Sequence, residues 1–241
     1  MIRNSQNLPD NLERVHARIA AAAAQCGRNV DSITLVAVGK AQPVEALQAA
    51  AAAGLTHFGE NYLQEALAKR EALKGLPLTW HFIGQLQANK TRAVAASFDW
   101  VHAVDRLRLA QRLAEQRPYY SPPLNVCVQV NVGGESSKAG VSPAQVPELA
   151  AAVARLPRLQ LRGLMCIPPA EEDLQRQRYW LAQVRGLFES LNAQGAGLDT
   201  LSMGMSADLE AAVLEGATLV RIGTALFGPR PAREPQPPRE P

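Results

Sequence analysis

One lysine stands where the chain could carry out covalent chemistry. Lys40 closes the apolar stretch VAVGK, and only five of the 25 basic residues are Lys. A lysine amine that is desolvated can lose its proton and attack an aldehyde, whereas an arginine stays charged. Because Arg fills most other basic positions, Lys40 is a candidate for Schiff-base chemistry.

A second group of residues could hold a phosphate. Ser206 is predicted to open a helix over residues 207–214, and Gly223 with Thr224 follows the last apolar run of the chain. Their hydroxyls and backbone amides would bind a phosphate dianion. An ordinary helix cap beside a tight turn would leave the same pattern, so both interpretations stay open. A phosphate site facing a lysine indicates an aldehyde that carries a phosphate, pyridoxal 5′-phosphate (PLP).

Short apolar runs and helical segments alternate along the chain and would position these residues. Eight strands are predicted: Ile33–Val38, Thr56–Gly59, Trp80–Ile83, Trp100–Val104, Val126–Asn131, Gly163–Ile167, Leu201–Gly204 and Leu219–Ile222. This pattern predicts an α/β protein with a (β/α)8 TIM barrel, whose sites gather at the carboxyl ends of the strands. An open doubly wound sheet is the alternative. Even spacing and the lack of a glycine-rich fingerprint after any strand favour the barrel.

Composition narrows the classes of protein and of partner. The net charge is +3, with no basic run interleaved with aromatics, which argues against a nucleic-acid partner. No apolar run approaches the ~20 residues of a membrane span, and the first residues lack a secretory signal. The three cysteines are isolated and the four histidines dispersed, which argues against disulfides and metal sites. We therefore expect a cytoplasmic protein with one barrel domain over residues 1–228 and a disordered Pro-rich tail over residues 229–241.

Several motifs stand in order along the chain: FGENY from Phe58, WHFIG from Trp80, SKAG from Ser137, MGMS from Met203 and RIGTALFG from Arg221. With them the chain resembles the pyridoxal phosphate homeostasis protein family over roughly residues 8–228. The resemblance implies a fold-type III barrel, that of the alanine racemase N-terminal domain without its β-domain, with PLP as cofactor.

The resemblance also assigns roles to single residues. It implies that Lys40 forms the Schiff base and that Arg221 faces the pyridine nitrogen. Lys138 matches a second family lysine, a candidate for loading or transfer of the cofactor. The remaining implied cofactor contacts are Ser206, Gly223 and Thr224 at the phosphate and Asn61, His81 and Met165 near the ring. Gly39 and Ala41 depart from the Ser and Thr that commonly flank the family lysine.

Three functions are compatible with such a site. The first is a non-catalytic PLP carrier or buffer, acting as a monomer and supplying PLP-dependent apo-enzymes. The second is a fold-type III amino-acid racemase or decarboxylase, and the third is a Schiff-base aldolase on an unrelated barrel. Racemisation needs a second acid/base group, and Tyr62, the tyrosine nearest the predicted site, is assigned to packing. An arginine at the pyridine nitrogen also weakens the ring as an electron sink, so the carrier is favoured.

Overall fold

The computed structural model describes residues 7–229, and within them eight parallel strands close into one barrel. Each strand pairs with its neighbour in sequence, and β8 pairs with β1. The strands are β1 Thr34–Val38, β2 His57–Glu60, β3 Thr79–Phe82, β4 Trp100–Val104, β5 Leu124–Val130, β6 Leu159–Cys166, β7 Thr200–Ser202 and β8 Leu219–Ile222. The predicted (β/α)8 barrel is confirmed. The predicted tail lies outside the described residues, apart from Pro229.

Helices follow the strands and form the outer layer. They are α1 Leu8–Gln25, α2 Val44–Ala52, α3 Leu63–Ala72, α4 Thr91–Ser97, α5 Leu107–Gln116, α6 Val146–Ala154, α7 Leu174–Ala193, α8 Leu209–Leu214 and α9 Thr224–Phe227. The first helix precedes the barrel and packs on α8 and α9. Its buried residues recur every three or four positions, the spacing of a single apolar stripe. The side-chain amide of Asn11 donates to Leu226 O at 2.7 Å and ties α1 to α9.

The apolar core lies between the strands and the helices, whereas part of the barrel interior is polar. Leu47, Phe58 and Leu113 are fully buried in the core. His102 and Ser202 are equally buried, yet they are hydrogen-bonded to each other inside the barrel. A polar group removed from water must find a protein partner. The barrel interior therefore has to contain a hydrogen-bond network.

Two expectations about local structure were wrong. β6 begins at Leu159, before the predicted start at Gly163, because residues 159–161 already pair with β5 and a register shift follows. Gly163 marks a close approach instead, since a Cβ there would lie 1.7 Å from Thr200 O. Ser206 does not open a helix at residue 207. Asp208 Oδ1 accepts the Met205 amide at 2.6 Å, which favours a turn, and α8 starts only at Leu209.

Within residues 7–229, no helix has the length and apolar character needed to cross a membrane. The same part of the chain contains no group of three or more His, Cys, Asp or Glu side chains arranged to hold a metal ion.

Candidate functional site

Lys40 shares a small cavity with the loop that follows β8. The register of β1 and β8 places Ala37 beside Ile222, so the residues after both strands emerge next to each other. The cavity has a volume of about 40 Å³ and is lined by Val38, Lys40, Gln42, Gly223, Thr224 and Gly228. The structure thus brings the candidate lysine together with two of the three predicted phosphate contacts. None of the described residues that line the cavity carries a carboxylate, and Lys40 supplies an amine, so the cavity suits an anion.

Ser206 reaches the same loop from the neighbouring strand. Its hydroxyl oxygen accepts the backbone N–H of Ala225, in the first turn of α9, at 3.2 Å. Its carbonyl accepts a hydrogen bond of 3.0 Å from Arg18 on α1, and Arg18 also pairs with Glu210. The turn after β7 is therefore fixed beside Gly223 and Thr224 by contacts to two helices. All three predicted phosphate residues lie in one region.

The backbone on both sides of Lys40 is held by side chains from α3. The Ala41 amide donates to Glu65 Oε1 at 2.7 Å, and Lys69 Nζ donates to the carbonyl of Gly39 at 2.6 Å. Ala41 has a φ of 60°, in the left-handed region that disfavours a residue with a Cβ. The two tethers hold this conformation and so determine where the Lys40 side chain starts.

A buried ion pair lies directly behind this segment. Lys69 Nζ is 2.8 Å from Glu60 Oε1 and 2.5 Å from Glu65 Oε1, and both Glu60 and Lys69 are buried. Burial raises the pKa of Glu60 to about 7, while its hydrogen bond to Lys69 and the charges of Lys69 and Lys40 act in the opposite direction. Gly39 belongs to the same arrangement, since a Cβ there would lie 2.5 Å from Glu60 Oε1. A side chain at position 39 would therefore require Glu60 or Leu47 to shift.

Arg221 lies inside the barrel, with its guanidinium fixed by protein acceptors. One terminal nitrogen donates to the carbonyl and the hydroxyl of Ser202 at 2.6 and 2.8 Å. The other donates to Cys166 O at 2.9 Å. Burial lowers the pKa of Arg221, although an arginine starts so far above neutrality that it stays charged. The guanidinium still has N–H groups that could bind a ligand, because these contacts use three of its five donor hydrogens.

Three histidines continue the polar interior from Ser202. His102 Nδ1 is 2.7 Å from Ser202 Oγ, and His102 Nε2 is 2.9 Å from His81 Nδ1. His81 Nε2 is in turn 2.9 Å from His57 Nδ1. Burial lowers the pKa of all three, that of His102 to about 3. Both ring nitrogens of His81 thus have partners within the protein, so His81 could contact a ligand only through the face of its ring.

The other predicted contacts lie on neighbouring elements. Met165 is buried on β6, beside Ser202 in the strand register. Asn61 follows β2 and is half-buried, with Gly84 so close that a Cβ there would lie 2.3 Å from Asn61 O. Lys138 follows β5, donates to Pro168 O at 2.9 Å and pairs with Glu135. Lys138 does not belong to the residues that line the Lys40 cavity.

Two further sequence interpretations concern thiols and tyrosines. Cys127 and Cys166 are buried, and burial raises the pKa of each thiol to about 12. The packing role expected for Tyr62 was wrong, since 53% of its surface is exposed. Tyr62 lines a separate cleft of about 430 Å³ together with Asn61 and Lys90. It therefore faces a different space from the Lys40 cavity.

Sequence reasoning missed the residues that support Lys40 and Arg221. Glu65 and Lys69 are four positions apart on a helix, a spacing typical of exposed ion pairs, and nothing local signals that Lys69 is buried. In the sequence Ser202 is only part of a predicted strand. His57 and His102 are two of four dispersed histidines, and the structure shows His102 fully buried and His57 half-buried. Their positions on β2 and β4, with His81 on the intervening strand β3, were the signal that could have linked them.

A lysine after β1, a Gly–Thr loop after β8 and a buried arginine on β8 of a closed parallel barrel place the chain in the class of alanine-racemase-type barrels. The family model described as alanine racemase, N-terminal domain, matches residues 11–231. Pyridoxal phosphate homeostasis proteins of Pseudomonas aeruginosa and Escherichia coli are 57% and 51% identical to this chain. The alignments cover 92% and 93% of this chain and 96% and 97% of those proteins. The chain belongs to the pyridoxal phosphate homeostasis protein family.

Solved structures of other proteins share the fold of this chain. PipY of Synechococcus elongatus, solved with PLP bound, superposes with a TM-score of 0.77 at 39% identity, covering 89% of this chain and 100% of that one. An alanine racemase of Clostridium difficile superposes with a TM-score of 0.72 at 17% identity, covering 92% of this chain and 58% of the racemase. At that identity the racemase supports the fold alone.

Proposed function

We propose that the protein binds PLP covalently through Lys40 and acts as a carrier or buffer in PLP homeostasis, with little or no catalysis. The observation that carries the proposal is the cavity shared by Lys40, Gly223 and Thr224. The family relatives named for PLP homeostasis and the PLP-bound PipY structure support the same ligand.

The donor set of the site fits PLP. Hydroxyls of Ser206 and Thr224 and backbone amides after β8 would hold the phosphate, where Gly223 and Gly228 keep side chains away. Arg221 would face the ring nitrogen with its remaining N–H groups, and Met165, Asn61 and His81 would surround the ring. The Lys40 amine would form a carbon–nitrogen double bond with the aldehyde that PLP would supply, with loss of one water molecule.

The protein residues then position, rather than transform, what they bind. The tethers from Glu65 and Lys69 fix the backbone from which Lys40 extends. Arg221 remains charged and donates hydrogen bonds, so it supplies no proton to the ring nitrogen and weakens the ring as an electron sink. A racemase also needs a second acid/base group beside the substrate, and none of the described residues that line the Lys40 cavity is a tyrosine. These features favour the carrier over the racemase or decarboxylase.

The wider role rests on the resemblance and on position in the barrel. Lys138 lies at the same strand-end rim, after β5, and is a candidate for passing PLP to or from Lys40. The proposed carrier is a cytoplasmic monomer with a single domain over residues 1–228. It would supply PLP to PLP-dependent apo-enzymes.

Borohydride reduction tests the covalent site. The protein is mixed with PLP, its absorption spectrum recorded, and the sample reduced and mapped by peptides. A pyridoxyl group on Lys40, absent in Lys40→Ala and retained in the exposed control Lys74→Ala, is the expected result. A pyridoxyl group on Lys138 or Lys90 in place of Lys40 would assign the Schiff base to that lysine instead. No pyridoxyl group on any lysine would overturn PLP binding through a Schiff base.

Two further measurements separate binding from catalysis. Ser206→Ala should weaken retention of PLP while the Lys40 label persists, because it removes one phosphate donor and leaves the amine. An alanine racemisation assay on the PLP-saturated protein should show little or no turnover. Turnover at an ordinary enzymatic rate of ~1–1,000 per second would replace the carrier with the racemase.

A further inference from the structure

The chain of side chains from Arg221 to His57 crosses the barrel interior through successive hydrogen bonds of 2.7–2.9 Å. Three of its members, Ser202, His102 and His81, have no exposed surface at all. The last member, His57, is half-buried at the first residue of β2, the amino end of the barrel. The chain therefore joins a half-buried imidazole at one end of the barrel to the guanidinium at the candidate site.

The direction of the hydrogen bonds is determined at Arg221. A guanidinium can only donate, so Ser202 Oγ accepts from it at 2.8 Å. The single hydrogen of Ser202 then has His102 Nδ1 as its acceptor at 2.7 Å. With the opposite direction, Ser202 Oγ would receive two donors, and its own hydrogen would need a third partner. Among the contacts found in residues 7–229, Ser202 Oγ has only these two.

The remaining protons follow one after another. A neutral imidazole has one N–H donor and one bare nitrogen acceptor. With His102 Nδ1 as acceptor, its Nε2–H donates to His81 Nδ1, and His81 Nε2–H then donates to His57 Nδ1. This leaves the Nε2–H of His57 at the amino end of the barrel. The lowered pKa of each ring supports the neutral state that this order requires.

We propose that Ser202, His102, His81 and His57 form one directional hydrogen-bond relay that holds the Arg221 guanidinium in its orientation, with the ring proton of all three histidines on Nε2. The four are positioning residues, because they act through Arg221. Their effect on PLP rests on the proposed function, in which Arg221 faces the ring nitrogen, whereas the proton order does not.

The proton order is measured on the protein without PLP. Ring ¹⁵N NMR of histidine-labelled protein at neutral pH distinguishes the Nε2–H tautomer, the Nδ1–H tautomer and the charged ring. The exposed His16→Asn variant identifies the His16 signal, and the three signals that remain belong to the relay histidines. Three neutral Nε2–H rings are expected. A charged ring or an Nδ1–H tautomer at His57, His81 or His102 would overturn the directional relay. This measurement on the unaltered protein does not depend on whether a relay variant folds.

The effect on Arg221 is measured by PLP binding to three β7 variants. Ser202→Ala removes the hydroxyl that receives the Arg221 fork and should raise the Kd for PLP about tenfold, the loss of one hydrogen bond to a charged group. Ser202→Thr retains a hydroxyl and should restore most of the affinity. Thr200→Val is the matched control, because it removes another buried hydroxyl from β7, one that bonds Asp199 instead. The absorption band of bound PLP should shift in Ser202→Ala alone.

Equal losses of PLP affinity in Ser202→Ala and Thr200→Val would show that Ser202 contributes only packing, and would overturn its positioning role. If the unaltered protein fails to bind PLP, the proposed function fails instead. The tautomers measured without PLP then decide the relay by themselves.

Discussion

Two buried polar networks support Lys40 and Arg221, the side chains that the proposed function assigns to PLP binding. The two networks differ in charge. The clamp of Glu60, Glu65 and Lys69 behind Lys40 is ionic, with Lys69 Nζ within 2.8 Å of both carboxylates. The relay behind Arg221 consists of neutral side chains apart from the arginine itself. The clamp acts on a backbone segment after β1, whereas the relay acts on a side-chain fork inside the barrel.

The difference matches the chemistry that each network must permit. A lysine that attacks an aldehyde must be able to lose its proton, and nearby ionisable groups influence that equilibrium. An arginine has no accessible neutral state, so orientation is all that its support can adjust. An ionic clamp therefore couples to pH around neutrality, while a neutral relay stays unchanged until the solution becomes acidic. Four experiments test this contrast.

Loss of Lys69 should have the largest effect. Lys69→Met leaves the buried carboxylate of Glu60 without its cation, which costs about 3–5 kcal/mol in the free energy of unfolding. Denaturant unfolding at pH 8, where Glu60 is mostly ionised, provides the measurement. The matched control is Lys74→Met, whose side chain is 77% exposed beside Glu71 and should cost less than about 1 kcal/mol. Similar losses in both variants would show that the clamp stabilises no more than a surface pair.

Titration of Glu60 should come next. Its folded pKa is raised above the usual 4.5 to about 7, so the stability it contributes is complete below pH 4.5 and is lost as pH rises through 7. The loss amounts to about 3 kcal/mol, at about 1.4 kcal/mol per pH unit. Glu60→Gln should abolish this part of the stability–pH curve, and exposed Glu45→Gln should leave it in place. Parallel curves for Glu60→Gln and the unaltered protein would contradict an ionising clamp.

The relay should respond in the opposite direction. The folded pKa of His102 is lowered from 6.5 to about 3, so its contribution is complete above pH 6.5 and declines as pH falls toward 3. Between pH 6.5 and 5 the free energy of unfolding should fall by about 2 kcal/mol on this account. His102→Asn keeps a hydrogen-bonding side chain without an ionisable ring and should make the slope shallower by the His102 share, while His57 and His81, whose pKa values are also lowered, contribute the rest. His16→Asn, at an exposed histidine, should leave the slope unchanged, and a slope equally steep in His102→Asn and the unaltered protein would mean that the His102 ring is already charged in the fold.

The two networks also show which features of the site could be predicted from the sequence. Periodicity and turn residues predicted all eight strands, and reading the residues after β1, β7 and β8 predicted Lys40, Ser206 and Thr224. These signals are local in the chain. The partners of Ser202 are not local, since β8 supplies the arginine and β4 the histidine that meet there. A spacing of 100 residues between His102 and Ser202 becomes a contact only through barrel closure.

The smallest expected effect tests whether the clamp imposes the backbone beside Lys40. Ala41 holds a φ of 60°, which costs a residue with a Cβ about 1–2 kcal/mol, whereas glycine adopts it freely. After the greater chain entropy of glycine is subtracted, Ala41→Gly should raise the free energy of unfolding by up to about 1 kcal/mol. Ala17→Gly, on the exposed side of α1, should lower it by about 1 kcal/mol. Both follow from denaturant unfolding. If the two substitutions destabilise equally, the left-handed turn is not strained, and the tethers from Glu65 and Lys69 select a conformation that Ala41 would adopt without them.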